Sequence, residues 1–334
     1  MLLLPNESCI STKPWTVIVF TDGLSLSSLP LYFLTFYILI FKCPPVFNKY
    51  RILLLRHLVC CFFMEFNMTI IWQLIIIMPL NTLCANSIAY NFPKMVFYIQ
   101  IHMMLFTAIT IFDLSDYRLK VVKTGSQEKL VKRINFFKYF TYFSFSITMS
   151  FLYISYGSIT NEKSYKLRVQ QKFGNLPDFV WCDNCIFFDD SSNIIIIFFI
   201  SGMISVTLAF FYCIITAYAS FSALNEMKKS FSVKTLEVQK NFLISLLIMV
   251  YSSLEWEFRE FQQNNTVFQN AIHLLFIAIP CLIFFIGCFS SISYDLMFIS
   301  YVCVSLITQH GSASTLILLT TNKALRNVIK SFWK

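Results

Sequence analysis

Charged side chains are scarce in this chain. Asp, Glu, Lys and Arg make up 13% of its 334 residues, about half the share usual in soluble domains. Hydrophobic residues make up 57% and aromatic residues 18%. A soluble fold of this size could not cover so much apolar surface. Catalytic signatures are missing too. There is no Gly-rich phosphate loop, no zinc-type His/Cys spacing and no nucleophile elbow. The expectation is therefore no enzyme, no metal and no cofactor. The eleven cysteines fall mostly inside apolar runs, where Cys behaves as a small hydrophobe. The opening stretch, MLLLPNESCISTKPW, has no basic n-region, so the first span is expected to act as an uncleaved anchor rather than as a removed signal.

What remains is a set of long apolar runs. They are continuous rather than alternating, which excludes a transmembrane β-barrel and points to spanning helices of about 20 residues. The expected fold class is an all-α membrane protein, a single seven-helix bundle over residues 1–334. Its spans are expected at 23–41, 58–80, 95–112, 139–158, 194–220, 241–249 continued at 270–290, and 296–320. The sixth span is broken. Residues 250–269 carry Glu255, Glu257, Arg259 and Glu260, which are costly at mid-membrane. They read as an insertion, either a bulge on the outer side or a translated intron.

The net charge is +9, but its placement says more than its size. Connectors one, three and five and the tail hold 4, 7, 4 and 4 basic residues, 19 of the 26 in the chain. The positive-inside rule then puts the N-terminus outside and the C-terminus in the cytosol. The basic residues meet anionic lipid, and no nucleic-acid partner is expected. Asn6, in an Asn-Glu-Ser sequon, falls on the outer side as a glycosylation candidate.

Polar residues inside the spans are the informative exceptions. At 100° per residue, Ser305, Thr308, Ser312 and Thr315 share one side of the last span, and His310, Ser314 and Thr321 nearly the opposite one. A stripe through Val302, Leu306, Ala313 and Leu316 is left for lipid. A span polar on two sides belongs in the middle of a bundle, because polar groups in hydrocarbon need partners. Gly311 lets a neighbouring helix approach closely. Glu65 lies nine residues from Arg56, roughly 13 Å into the membrane at 1.5 Å per residue. It must be protonated or paired; Ser314 and Thr315 reach a similar depth, and His310 lies about one turn beyond. Glu65, His310, Ser314 and Thr315 are therefore the expected intramembrane network. Four cysteines fall outside: Cys9, Cys84, Cys182 and Cys185. They allow three pairings; joining Cys84 to Cys182 or Cys185 would staple the long outer loop over a ligand entrance, and free thiols are the alternative.

Local motifs then carry a resemblance. Phe41, Lys42, Pro44, Tyr50, Arg51, Leu54, Leu55 and His57 stand in order in the first inner connector. Asp116-Tyr117-Arg118 follows the third span. His310, Gly311, Ser314 and Thr315, then Lys323 and Arg326, close the chain. This pattern resembles the nematode serpentine chemoreceptors of the Str superfamily, class H or class I (Srh/Sri). Ala324 and Leu325 depart from the Pro-Tyr of those receptors, and Glu65 stands where they tend to have Asp. The resemblance implies a G-protein-coupled receptor of sensory neurons, in the cell membrane and in cilia. It implies a small-molecule ligand in the outer half of the bundle and a heterotrimeric G protein as partner, with Asp116, Arg118 and Arg326 as coupling residues. The alternative class is a multi-pass transporter or channel subunit. Transporters commonly repeat their halves, and no repeat relates residues 1–160 to 170–334.

Overall fold

The computed structural model describes residues 23–42, 48–77, 82–122, 128–160, 163–174, 178–189, 192–227, 279–280, 283 and 297–321. The interruption at 250–269, the tail with Arg326 and the sequon at Asn6 lie outside the described residues.

Helix α1 is Leu24–Tyr37, extended by a π-helical turn at Ile38–Lys42. Helix α2 is Asn48–Phe66, followed by a π-helical segment at Asn67–Trp72. Helices α3 (Pro93–Val122) and α4 (Glu128–Ile154) follow. The short helix α5 (Lys163–Phe173) belongs to the long outer connection. Helices α6 (Asn193–Met227) and α7 (Met297–Thr321) complete the described part of the bundle. Among the described residues, Asn48–Trp72, Pro93–Val121 and Asn193–Ser220 are long and apolar enough to cross a membrane by length and composition.

Burial is inverted relative to a soluble protein. On α4 the exposed face carries Phe136 at 74% and Phe143 at 62%, whereas Thr141 is fully buried. Ser144 on the inward face meets Ser205 of α6 with oxygens 2.6 Å apart, and Thr148 meets the same hydroxyl at 2.9 Å. Lipid-facing carbon outside and hydroxyl contacts between helices inside is how membrane helices associate. Helix α7 behaves likewise. Val302 and Leu316 are exposed, while Ser300, Thr308, His310, Ser312, Ser314 and Thr315 are buried. Helix α3 lies between α2 and α6, and α7 packs against α1 and α2.

The second span stops short of its apolar run. Gln73 adopts φ 48°, a left-handed conformation unusual for a residue with a side chain, and this turns the chain into strand β1 (Ile75–Ile77). Strands β2 (Thr82–Cys84), β3 (Ile159–Thr160) and β4 (Cys185–Phe188) join it. The antiparallel sheet runs β1-β2-β4-β3, with Ile76 opposite Leu83 and Leu83 opposite Ile186. Side chains alternate between its faces. Ile76, Leu83, Ile186 and Phe188 point into the bundle core. Ile75, Ile77, Cys84, Cys185 and Phe187 pack under Tyr165 and Val169 of α5. Both faces are buried, so residues that read as the end of a helix and a polar loop form a lid over the outer end.

Candidate functional site: an outer cavity, a mid-membrane polar layer and an inner clamp

Cys84 and Cys185 face each other across β2 and β4 and form a disulfide. Cys182 is also disulfide-bonded, and its partner lies outside the described residues. Lys166 of α5 is buried and donates to the carbonyls of Cys182 (2.7 Å) and Trp181 (3.1 Å). Burial holds its ammonium below the ordinary lysine range. The outer connection is thus pinned by disulfides, by strand pairing and by one buried lysine.

Beneath this lid lies an apolar cavity of about 130 Å³. Its wall comes from the π-helical segment (Met68, Trp72), the sheet (Ile76, Phe188), α3 (Phe97, Gln100), α6 (Phe199) and α7 (Ile307), among others. The π segment matters here. An extra residue per turn rotates the side chains that follow it, and such segments gather at functional sites. It brings Asn67 to Gln100, whose Oε1 accepts from Asn67 Nδ2 at 2.8 Å.

One turn inward, Glu65 is 3% exposed. Ser28 donates to its Oε1 at 2.6 Å and Tyr32 to its Oε2 at 2.8 Å. These partners come from α1. The last span meets the same place through Gly311: a Cβ there would lie 2.2 Å from the Tyr32 hydroxyl and 2.8 Å from Cys61 Cβ. His310 is fully buried, and its ring lies edge-on to that of His57, centroids 6.4 Å apart. His57 Nδ1 is 3.0 Å from the Thr110 hydroxyl of α3. Ser314 and Thr315 are buried on α7, and Thr315 donates to the Gly311 carbonyl. The structure therefore brings Glu65 to α1 and to the Ser312 backbone of α7, and His310 to His57, with Gly311 of α7 packed against Tyr32 and Cys61.

At the inner end, Asp116 accepts from Tyr212 of α6 at 2.5 Å and is paired with Lys138 of α4. Lys138 also lies 3.8 Å from Asp113, which faces Arg56 of α2 at 3.5 Å. Four helices meet in one charged cluster. Lys138 and Asp116 are 13% and 12% exposed, so water weakens that pair little. Arg118 lies on α3 with its side chain outside the described part. Sequence reasoning named Asp116 but missed Lys138, Tyr212 and Asp113, as it missed Ser28 and Tyr32. The available signals were Lys138 at the mouth of the fourth span and the i, i+4 spacing of Ser28 and Tyr32. Among the described residues, no cluster of His, Cys, Asp and Glu could hold a metal ion.

No curated protein and no solved structure matches the chain. The family described as serpentine type 7TM GPCR chemoreceptor Srh matches residues 13–254 and 259–334, nearly its whole length. That is a family of multi-pass membrane receptors rather than of enzymes. The break in the match, at 255–258, falls inside the segment expected to interrupt the sixth span. With an inverted bundle, a stapled outer lid and this match along both halves, the chain belongs to the Srh family of serpentine seven-transmembrane G-protein-coupled chemoreceptors.

Proposed function

We propose that the protein binds a small, largely apolar molecule in the cavity under the outer sheet and signals to a heterotrimeric G protein at its inner face, in the membrane and cilia of sensory neurons. The observation that carries this reading is the cavity itself. It lies in the outer half of the bundle and is lined from α2, α3, α6 and α7 together, so its occupant would touch most of the helices that meet again in the inner cluster. Ligand binding is expected to shift those helices between two packings, releasing the Asp116 cluster and opening the inner face. The mid-membrane layer of Glu65, Tyr32, Gly311, His57 and His310 lies between the two ends and would repack with them. Arg118 and Arg326 are the expected contacts to the G protein.

The test is calcium imaging in cells expressing the full chain with a promiscuous G protein, screened against volatile and amphipathic small molecules. Agonist-dependent calcium release that is lost in Arg118→Ala at equal surface expression supports the reading. Ligand-driven flux in reconstituted vesicles without G-protein activation would replace it with the transporter alternative.

A further inference from the structure

Two nitrogen donors belong to residues that line the cavity, and both lack a partner among the described residues. Gln100 and Trp72 are 3% and 1% exposed. The Gln100 side-chain Nε2 and the Trp72 indole Nε1 are buried with no hydrogen-bond partner among the described residues. Buried N–H groups without an acceptor are rare in folded proteins and call for an explanation. These two belong to residues of the same cavity, and what both nitrogens offer is the same: a donor, never an acceptor. The Gln100 amide is also held in orientation. Its Oε1 is taken by Asn67 Nδ2 at 2.8 Å, which leaves its N–H₂ as the free end. The present wall of the cavity is carbon, although Gln100 and Trp72 both belong to it. Met68 and Met104 also line it, and unbranched Met side chains yield easily to an incoming group.

Resting on the reading that this cavity is the ligand site, we infer that it takes a compact apolar molecule carrying a hydrogen-bond acceptor, a carbonyl or ether oxygen, which Gln100 and Trp72 jointly bind. Size follows from the volume. An engineered apolar cavity of about 150 Å³ in another protein holds benzene, so about 130 Å³ suits a single small ring or a short chain. Gln100 and Trp72 are binding residues in this assignment, and Asn67 positions the Gln100 amide. A hydrocarbon of the same shape would fill the cavity but leave both donors unpaired, and a site that loses a hydrogen bond in this way discriminates strongly.

The probes are cyclohexanone, methylcyclohexane and cyclohexanol, which match in size and differ in acceptor and donor. In cells expressing the full chain, cyclohexanone is expected to act at a concentration at least about tenfold lower than methylcyclohexane, the effect of one net hydrogen bond. Gln100→Leu and Trp72→Phe keep shape and apolar contact. They should erase that ratio while surface expression holds. In the purified full chain, the infrared carbonyl stretch of bound cyclohexanone should lie at lower wavenumber than in hydrocarbon solvent, and should return to the solvent value in the double variant. Equal potency of ketone and hydrocarbon overturns the inference. So does failure of cyclohexanone to bind the purified chain at saturation, or a carbonyl stretch unmoved by the variants. Cyclohexanol, whose hydroxyl oxygen also accepts, should be weakened by the double variant as cyclohexanone is, and a cyclohexanol potency unmoved by it would overturn the inference too. The infrared shift needs no G protein. A shift without any calcium response would leave this inference standing and refute coupling; a response without the shift would do the reverse.

Discussion

Gly311→Ala adds one methyl group at the most crowded point of the bundle, and its cost can be worked from the geometry. The new Cβ would sit 2.2 Å from the Tyr32 hydroxyl and 2.8 Å from Cys61 Cβ, both far inside van der Waals contact. Tyr32 is 1% exposed and Cys61 1% exposed, so neither has open space to enter. The Tyr32 hydroxyl can move only by giving up its 2.8 Å bond to Glu65. Cys61 can move only with the backbone of α2. Overpacking of this kind costs about 1–3 kcal/mol, and leaving a buried carboxyl oxygen with one donor fewer adds about 1–3 kcal/mol. The sum, roughly 2–6 kcal/mol, is comparable to the whole stability of many domains.

The expected result is a lower apparent melting temperature of the purified receptor and a lower fraction at the cell surface. Adding Tyr32→Phe to Gly311→Ala removes the nearest clashing atom. The pair should therefore be less destabilised than the two single variants summed, a coupling that a double-mutant cycle reads directly. A Gly311→Ala receptor as stable as the parent would refute the close approach of α7 to α1 and α2. Simple additivity with Tyr32→Phe would refute the part assigned to the Tyr32 hydroxyl.

Tyr212→Phe removes one hydrogen bond to a charged acceptor, about 1.5–3 kcal/mol, which is roughly a ten- to hundredfold shift between closed and open inner faces; it and Lys138→Gln should raise basal second-messenger output, and unchanged output in both would remove the clamp from the mechanism. Cys185→Ser should lower surface expression and ligand response, and the charge-derived topology leaves Cys9 as the outer partner for Cys182; peptide mapping under non-reducing conditions should find Cys84 with Cys185 and Cys9 with Cys182, and a Cys84–Cys182 peptide would contradict both. Deleting residues 250–269 should improve trafficking if they interrupt the sixth span, whereas equal or worse trafficking would make them part of the fold; a dominant transcript retaining all these codons would exclude the intron reading.

The bundle was legible because its signals are local and repeated. Apolar length marked the stretches that the described residues fold as α1, α2, α3, α4, α6 and α7, and the orientation rests on the alternation of Lys and Arg between connectors. The 100° wheel of the last span separated Val302 and Leu316, which are exposed, from His310, Ser314 and Thr315, which are buried. The outer sheet was not legible. Ile75–Ile77 is apolar and continues the α2 run, so composition extends the helix through it. What ends the helix is the left-handed Gln73, a single backbone choice with no compositional mark. Partners across long separations were equally hidden. Glu65 announced itself by its charge, but nothing in its neighbourhood says that Ser28 and Tyr32, more than thirty positions away, supply its donors. Asp116 was found through a short motif; its pairing with Lys138 and Tyr212 depends on how α4 and α6 seat against α3, which sequence spacing does not carry.

The three candidate regions are strung along the same two helices, and this limits how they can communicate. Helix α3 carries Gln100 at the cavity, Thr110 beside His57, and Asp113 and Asp116 at the inner end. At 1.5 Å per residue, Gln100 and Asp116 are about 24 Å apart along its axis. A regular helix does not shorten over that distance, so an event at Gln100 reaches Asp116 only if α3 shifts or turns as a body against its neighbours. Helix α2 differs. Its π segment itself carries the cavity residues Met68 and Trp72, and it begins two residues after Glu65. A π segment holds its i→i+5 bonds at the expense of regular α-helical ones, so α2 can change pitch there while the stretch from Arg56 to Glu65 stays whole. That stretch is gripped on one side by His57 to Thr110 and on the other by Gly311 against Cys61. A change at the cavity would thus enter the polar layer through α2 and pass to the inner cluster through α3.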